Sequence, residues 1–331
     1  MYDLPWQKPQ WDLLQNQFAT GRNPHAILLC GPADLGKREF AEQLGSSLLC
    51  RKPTDAIACG QCSACLLLEA GTHADLRRIG PEDSKLIRID QIRELNEWAV
   101  QTGQHGARKI AIIYPAEQMN VQAANALLKS LEEPVPGTLF ILVADQPARL
   151  LPTIRSRCQS YTFAIPTESV ALKWLEENAQ DTKDLPQALA LAGGSPMRVI
   201  REIDSEYLDR REVVAGVIDN LLARNETALS GASQIQKHDA IEVLETLRSL
   251  TADAIVVQLD ADESKLTNRD YRGVIDTLGA KVGLHGLFSL SDLIMGAIRD
   301  LNSNSNPNPQ LLVESVLINM VANIVDSSHN F

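Results

Sequence analysis

Three residues near the beginning of the chain have the types and spacing of a phosphate-binding loop. Gly31, Gly36 and Lys37 match the pattern G-x-x-x-x-G-K-[ST], in which backbone N–H groups and the lysine hold the phosphates of a nucleoside triphosphate. The apolar run Ala26–Cys30 precedes them, as the strand before such a loop does. Position 38 departs from the pattern, because Arg38 has no hydroxyl group to ligate magnesium. The segment therefore indicates a fold built for ATP, in a copy that lacks part of the hydrolytic machinery.

Four cysteines form a second group with possible chemistry, and they follow the spacing C-x8-C-x2-C-x2-C: Cys50, Cys59, Cys62 and Cys65. Four thiolates in a short loop are typical of a closed tetrahedral zinc site, whose metal supplies the folding free energy that a small insertion lacks. An iron–sulfur cluster is the second interpretation, although the cysteine followed by proline that such clusters use is absent downstream. Unligated cysteines are the third. The spacing favours structural zinc.

The composition indicates a globular protein with more than one domain. The 331 residues are 44% hydrophobic and 22% charged, and a chain of this length usually forms two or three domains. A net charge of −11 argues against a free-standing DNA binder, which normally has a basic surface. No secretion signal and no apolar run of membrane-spanning length are recognised. We therefore expect a cytoplasmic protein, with Cys30 and Cys158 as buried free thiols.

Strand and helix patterns alternate up to about residue 165 and must position both groups. Continuous apolar runs are typical of strands that are covered on both faces of a parallel sheet. The helix predicted at 121–133 has apolar residues at i, i+3, i+4 and i+7, so one face packs on the sheet. A first helix, which Gly21 can end, carries Trp11, Leu14 and Phe18 on one face. Further helices are expected at 38–49 and 88–101, and the strands at 26–30, 76–79, 110–114, 139–144 and 160–163.

After residue 166 the β patterns disappear. Residues 167 to about 205 predict a small helical unit, in which Ser195 and Pro196 begin a helix as N-cap and first residue. From about 206 to the end the chain contains only helical patterns. Three domains are expected: 1–165, with the cysteine module at about 50–65, then 166–206, then 207–331.

Five segments carry a resemblance to a known family. They are His25–Leu29 before the phosphate loop, the four-cysteine insertion, Gly71–Asp75, Ala124–Pro134 and Ser156–Cys158. Together they cover most of the first 165 residues, and the Ser-Arg-Cys motif and the leucine–glutamate helix are highly specific. On these residues the chain resembles the AAA+ clamp-loader proteins of bacterial replication. The C-terminal half matches only in length and helical character.

The resemblance implies an α/β fold: an AAA+ P-loop domain with a parallel sheet and a zinc module, a small helical lid domain, and an all-α C-terminal collar domain for oligomerisation. It implies a role in DNA replication within the DNA polymerase III clamp loader, a family classed with DNA-directed DNA polymerase. The implied partners are other clamp-loader subunits (gamma/tau and delta), met through the collar and the face of Arg157. The sliding clamp and primed DNA are met as part of the complex, and no membrane is involved.

The ATP machinery of that family is incomplete in this chain. The strand that ends at Ile113 resembles the family's second nucleotide strand, which ends in Asp-Glu, whereas here Tyr114 and Pro115 follow. Together with Arg38, three parts of the phosphoryl-transfer apparatus are missing, so we expect no ATP hydrolysis by this chain alone. Lys37 is expected to be a surface lysine that closes a structural loop. Residual nucleotide binding, as in a gamma/tau-like ATPase subunit, is the alternative.

Arg157 is the candidate catalytic residue, acting in the site of a neighbour. In the family, the arginine of the Ser156–Cys158 motif is a finger that reaches in trans to the γ-phosphate, where a guanidinium stabilises the transition state. The alternative is a surface arginine in an ion pair at a helix end. Arg198 resembles the lid arginine that reaches the nucleotide in active members, although a local structural role is favoured.

Two other functions compete with a scaffold subunit that activates its partner. One is an ATPase with an unusual metal arrangement. The other is a zinc-dependent nucleic-acid binder that reads through the cysteine module. Residues 49–69 contain only Arg51 and Lys52 as cations and no aromatic residue, which is poor equipment for phosphate contacts or base stacking. The scaffold interpretation is therefore favoured.

Overall fold

The fold was analysed in a computed structural model of the chain, which describes residues 4–82, 84–103, 108–179, 184–202, 205–260, 266–302 and 307–327. The chain forms two compact units. The first consists of residues 1–177 with 195–197, and the second of residues 178–194 with 198–331. The expected division into 1–165, 166–206 and 207–331 stays a prediction.

A five-stranded parallel sheet forms the centre of the first unit, as expected for an α/β domain. Its spatial order is β2-β3-β4-β1-β5. The strands β1, β3 and β4 are buried at every residue, because the sheet is covered on both faces. The five predicted strands are confirmed, although three begin one residue earlier than expected. Their bounds are β1 Ala26–Cys30, β2 Leu76–Ile79, β3 Lys109–Ile113, β4 Thr138–Ala144 and β5 Gln159–Thr162.

Buried polar residues explain the earlier start of β3 and β4. Lys109 Nζ donates hydrogen bonds to the carbonyl oxygens of Trp98 and Gln101, the latter at 2.9 Å, and lies 4.2 Å from the centroid of the Trp98 ring. Burial lowers the pKa of Lys109. Thr138 Oγ1 donates to the carbonyl oxygen of Ala99 at 3.5 Å. Hydrophobic periodicity misses such positions, because the polar groups are satisfied by the carbonyls at the end of a helix.

Helices cover both faces of this sheet. The face that carries Leu28 packs on α4 and α5, whereas the face that carries Ile27 and Leu29 packs on α1 and α2. Asn120 begins α5 as an N-cap, because its side chain accepts a hydrogen bond of 2.8 Å from the Ala123 N–H. The helices of this region are α1 Lys8–Ala19, α2 Lys37–Leu49, α3 Ser63–Glu69, α4 Ile89–Val100, α5 Val121–Glu132, α6 Pro152–Arg155 and α7 Glu168–Asn178.

The rest of the described chain is helical, as expected. The helices α10 to α14 enclose one apolar core in the second unit. The helix α13 is interrupted at Gly283, whose φ of 69° and ψ of 164° are not helical. None of the helices in the described ranges has the length and apolar character needed to cross a membrane. The bounds are α8 Leu185–Leu191, α9 Pro196–Glu202, α10 Ser205–Leu222, α11 Ala228–Ile235, α12 Ala240–Gln258, α13 Arg272–Leu301 and α14 Pro309–Ser327.

A buried carboxylate holds the segment that leads into α13. Asp253 accepts hydrogen bonds from the backbone N–H groups of Thr267 and Asn268, at 3.1 and 2.6 Å, and from Asn268 Nδ2 at 2.8 Å. Arg211 binds both carboxylate oxygens of Asp270 at 3.0 Å, and donates to Asn268 Oδ1 at 3.0 Å. The polar groups of this buried network are therefore satisfied by one another.

The substitution Asp253→Asn tests this network. The N–H₂ group of asparagine would face N–H groups that now donate to the carboxylate, so at least one of these hydrogen bonds would be lost. We therefore expect the free energy of unfolding to fall by about 2–4 kcal/mol. Urea denaturation followed by circular dichroism measures the change. Asp292→Asn, at an exposed position of α13, is the matched control and should change the stability by less than about 0.5 kcal/mol. Equal effects of the two variants would contradict the importance of the network.

Candidate functional site

The four cysteines lie where α2 ends and α3 begins, on either side of a tight hairpin. Cys50 follows α2 directly, Cys62 is the N-cap of α3, and Cys65 lies in its first turn. Between Cys50 and Cys59, Thr54 and Ile57 exchange backbone hydrogen bonds of 3.0 and 2.8 Å, and the chain reverses its direction there. The hairpin therefore returns the chain so that the later cysteines meet Cys50.

The four sulfur atoms are grouped as a metal-binding set. All lie within 4.8 Å of one another, with distances of 3.9 Å for Cys50–Cys62, 3.9 Å for Cys59–Cys65 and 3.5 Å for Cys62–Cys65. Tetrahedral zinc with Zn–S bonds of about 2.3 Å places its sulfur ligands about 3.8 Å apart. The backbone N–H groups of Lys52 and Cys59 also point at Cys50 Sγ, at 3.4 and 3.3 Å. The cluster can therefore bind a metal ion, as predicted from the spacing.

The loop backbone prepares part of this cluster for a cation. Hydrogen bonds from the backbone N–H groups of Cys65 and Arg51 lower the pKa of Cys62 to about 6. A backbone hydrogen bond from Gln61 is the main cause that lowers the pKa of Cys59. Burial raises the pKa of Cys65 to about 12. Metals bind thiolates, so the lowered pKa values favour the sulfurs of Cys59 and Cys62 as ligands. The thiol of Cys65 must release its proton when the metal binds.

The phosphate loop keeps its glycines for reasons of packing. Gly36 has a φ of 76° and begins α2 in a left-handed conformation. Gly31 has a φ of 146°, and a Cβ atom there would lie 2.2 Å from the carbonyl oxygen of Phe163. Both glycines are therefore required by the fold itself, whether or not a nucleotide binds.

Lys37 is buried, so the expectation of a surface lysine is wrong. The residue is 3% exposed, and its Nζ lies 2.7 Å from Asp145 Oδ1. The same ammonium group donates a hydrogen bond to the carbonyl oxygen of Pro32. Asp145 directly follows β4, which lies beside β1 in the sheet. The group that contacts phosphate in a working loop is therefore neutralised inside the protein.

Side chains from two other segments are bound to the loop. Trp6 Nε1 and Gln7 Nε2 donate to the carbonyl oxygen of Leu35 at 3.0 and 2.8 Å. Ser195 Oγ donates to the carbonyl oxygen of Asp34. These hydrogen bonds fix the backbone of Asp34 and Leu35 and add to the restraint from the ion pair of Lys37.

The positions that normally organise magnesium hold a cation and an aromatic ring. The guanidinium carbon of Arg38 lies 5.7 Å from the centroid of the Tyr114 ring. The Tyr114 hydroxyl donates a hydrogen bond of 3.5 Å to Asp145 Oδ2, so Asp145 is shared between Lys37 and Tyr114. A fixed cation at position 38 repels magnesium, and tyrosine offers no carboxylate to bind it.

Arg157 lies just after α6 and is one-third exposed, with 33% of its side chain accessible. Its Nη2 lies 2.5 Å from Oε1 of Glu132, the last residue of α5, and its Nη1 donates to the carbonyl oxygen of Thr153 at 2.9 Å. Ser156 Oγ donates to the same carbonyl oxygen at 3.1 Å. In the single chain the guanidinium therefore forms a surface ion pair near two helix ends. Its role in trans stays a prediction.

The cysteine cluster and the phosphate loop lie at opposite ends of α2. Lys37 is the first of the 13 residues of this helix, and Cys50 follows its last residue. At about 1.5 Å per residue, the separation along the helix is about 20 Å. A metal ion at the cysteines is therefore too far away to assist chemistry at the phosphate loop, and its possible role is structural.

Sequence reasoning missed two acidic residues that contact the predicted site residues. Asp145 directly follows β4, the strand beside β1. Ligand-binding residues often lie at the carboxyl ends of parallel strands, so this position could have identified Asp145 from the sequence. Glu132 lies in the leucine–glutamate motif at Ala124–Pro134, which predicted no role for it. Cys30 is buried as predicted, whereas Cys158 is only half-buried, and burial raises the pKa of its thiol to about 12.

We expect the purified chain to contain about one zinc ion per molecule, and Cys62→Ser to lose it, because four sulfurs complete a tetrahedral site. Inductively coupled plasma mass spectrometry measures the metal, and thermal denaturation should show a lower Tm for Cys62→Ser. Cys158→Ser removes a cysteine outside the cluster and should keep the zinc. Bound iron with visible absorption, or a metal-free wild-type protein as stable as the zinc-loaded protein, would contradict the prediction.

Two family models match most of the chain. One, described as DNA polymerase III, delta subunit, matches residues 6–167. The other, described as DNA polymerase III, delta subunit, C terminal, matches residues 205–321. A solved structure of a DNA polymerase III gamma subunit-related protein from Thermotoga maritima aligns with 94% of this chain and 99% of its own, at 20% identity and a TM-score of 0.44.

Curated relatives align over nearly the whole length. DNA polymerase III subunit delta' of Pseudomonas aeruginosa is 39% identical over 317 residues, which are 95% of this chain and 96% of the relative. The proteins of the same name from Haemophilus influenzae and Escherichia coli are 28% and 30% identical, and cover 98% and 95% of this chain and 98% and 94% of their own length. With this identity over almost its full length, the chain belongs to the DNA polymerase III subunit delta' family.

Proposed function

We propose that the chain acts in cytoplasmic DNA replication as the delta-prime subunit of a DNA polymerase III clamp loader. In this role it helps to place the sliding clamp on primed DNA. The proposal is supported by relatives named DNA polymerase III subunit delta' that align with 95% of the chain or more. The proposed partners are the gamma/tau and delta subunits, with the clamp and the primed DNA met by the assembled loader.

Within the loader, the chain is a scaffold that does not hydrolyse ATP. The observation that carries this proposal is the 2.7 Å ion pair between Lys37 Nζ and Asp145 Oδ1. A nucleotide would have to draw a buried ammonium group away from its carboxylate, and that carboxylate would then lose its cation. Even then, Arg38 and Tyr114 offer neither the hydroxyl nor the carboxylate that holds magnesium.

The contribution of the chain to ATP hydrolysis is made in trans. Arg157 acts as a finger on the γ-phosphate in the site of a neighbouring ATPase subunit, with Ser156 in the same motif. The proposal is supported by the exposure of its side chain, a third of which is accessible, and by the permanent charge of a guanidinium. Its present partner is a surface carboxylate, which holds a cation far less firmly than a buried one does.

The remaining parts of the chain have structural roles in this proposal. Zinc at the four cysteines stabilises the insertion between α2 and β2. Residues 1–165 serve as the AAA+ domain, 166–206 as the lid, and 207–331 as the collar that joins the other subunits. The phosphate loop serves only as a structural turn.

The purified chain should release no phosphate from ATP above background in the presence of magnesium. Arg38→Thr restores the missing hydroxyl and should also be inactive, because Lys37 remains paired with Asp145 and no carboxylate replaces Tyr114 and Pro115. A coupled phosphate-release assay measures turnover, and calorimetry measures Mg-ATP binding. Tight, magnesium-dependent binding with turnover by the wild-type chain would instead support a gamma/tau-like ATPase.

Arg157→Ala should lower ATP hydrolysis by the assembled loader, because the neighbour's transition state loses a positive charge. At the one site that the finger serves, we expect kcat to fall by about 10³-fold or more. The test uses a loader whose other ATP sites carry inactivating substitutions, with clamp and primed DNA present. Phosphate release then reports the single site.

Arg155→Ala is the matched control for this experiment. Arg155 is an exposed arginine two residues away, and it is not part of the Ser-Arg-Cys motif. The control should assemble and hydrolyse ATP at the wild-type rate. An unchanged rate with Arg157→Ala in a fully assembled loader would show that Arg157 is not the finger.

A further inference from the structure

Glu132 is in direct contact with the proposed finger. Its Oε1 lies 2.5 Å from Arg157 Nη2, and 49% of its side chain is exposed. The Thr153 carbonyl accepts from Nη1 of the same guanidinium at 2.9 Å. Two different terminal nitrogens are therefore held at once, and together these contacts fix both the position and the plane of the guanidinium group.

The position of Glu132 is not explained by the stability of its own helix. It is the last residue of α5, where the helix macrodipole disfavours a negative charge. Exposed ion pairs contribute little to folding. The carboxylate is, however, well placed to restrain an arginine, whose long side chain otherwise has many conformations.

Arginine fingers act by geometry as well as by charge. A guanidinium that is already oriented loses less conformational freedom when it meets a phosphate, so more of its binding free energy is available in the transition state. We infer that Glu132 is a positioning residue, which holds Arg157 ready for the neighbour's γ-phosphate. This inference rests on the proposed role of Arg157 in trans.

The substitution Glu132→Gln tests the inference in the assembled loader with a single active ATP site. The amide keeps the size of the side chain but loses the charge, so Arg157 is held less firmly. We expect kcat to fall about two- to fivefold, with the KM for ATP unchanged. Glu132→Asp keeps the carboxylate and should retain more activity than Glu132→Gln.

Glu133→Gln is the matched control. Glu133 is the next residue, is also exposed, and loses the same charge on substitution, but the described contacts place no guanidinium beside it. Its variant should hydrolyse ATP at the wild-type rate. All variants are first compared by thermal denaturation and by subunit stoichiometry in size-exclusion chromatography, so that any loss of rate refers to equal amounts of assembled loader.

A double variant separates positioning from any independent effect of Glu132. If Glu132 acts through Arg157, then Glu132→Gln should cause no further loss in a chain that already carries Arg157→Ala. The loss of kcat caused by Glu132→Gln alone should also become smaller as salt is added, because salt screens the exposed ion pair of the wild-type protein.

Three results would overturn the inference while leaving the finger in place: an unchanged or increased kcat with Glu132→Gln, the same loss with Glu133→Gln, or additive losses in the double variant. An increased kcat would mean that the ion pair with Glu132 competes with the neighbour's phosphate for Arg157 and so slows hydrolysis. Failure of the finger itself is a separate outcome, because it is seen as an unchanged rate with Arg157→Ala alone.

Discussion

The buried ion pair between Lys37 and Asp145 determines what this nucleotide fold can do. Charges removed from water are stable only when they remain paired, so a ligand that takes one partner leaves the other uncompensated. The pair joins the loop after β1 to the end of β4, two strands that lie side by side in the sheet. The pair thereby ties the loop to the sheet, and this contact supports the proposed structural role of the loop and its lysine.

In the proposed role, the chain separates functions that a working ATPase combines. The nucleotide loop is occupied by internal contacts, the proposed metal is held about a helix length away, and the exposed cation of Arg157 faces outward from two helix ends. Only the last of these is held by an exposed carboxylate. A surface ion pair can be exchanged for a stronger anion at little cost, whereas the pair at Lys37 cannot. The ion pairs of Arg157 and Lys37 therefore differ in how easily another anion can replace the carboxylate, because they differ in burial.

Local patterns predicted most of the fold and the cysteine cluster. Apolar runs identified all five strands within one residue, and the four cysteines needed only their spacing, because their hairpin is closed within the same segment. The sequence could not show the pairing of Lys37 with Asp145 or of Arg157 with Glu132, since these partners meet only after the sheet and its helices assemble. The burial of Lys37 was misjudged for the same reason: polar side chains are inside only when distant partners satisfy them.

The compactness of the cysteine segment has a consequence for biosynthesis. All four sulfurs belong to residues 50–65, whereas β1 must wait for β4 and β5, about a hundred residues later. At translation rates of about 5–20 residues per second, the whole cluster leaves the ribosome within a few seconds. The insertion can thus close around the proposed metal while β1 still has no partner strand. Folding of this segment would then depend on the supply of metal ions, well before any partner subunit is available.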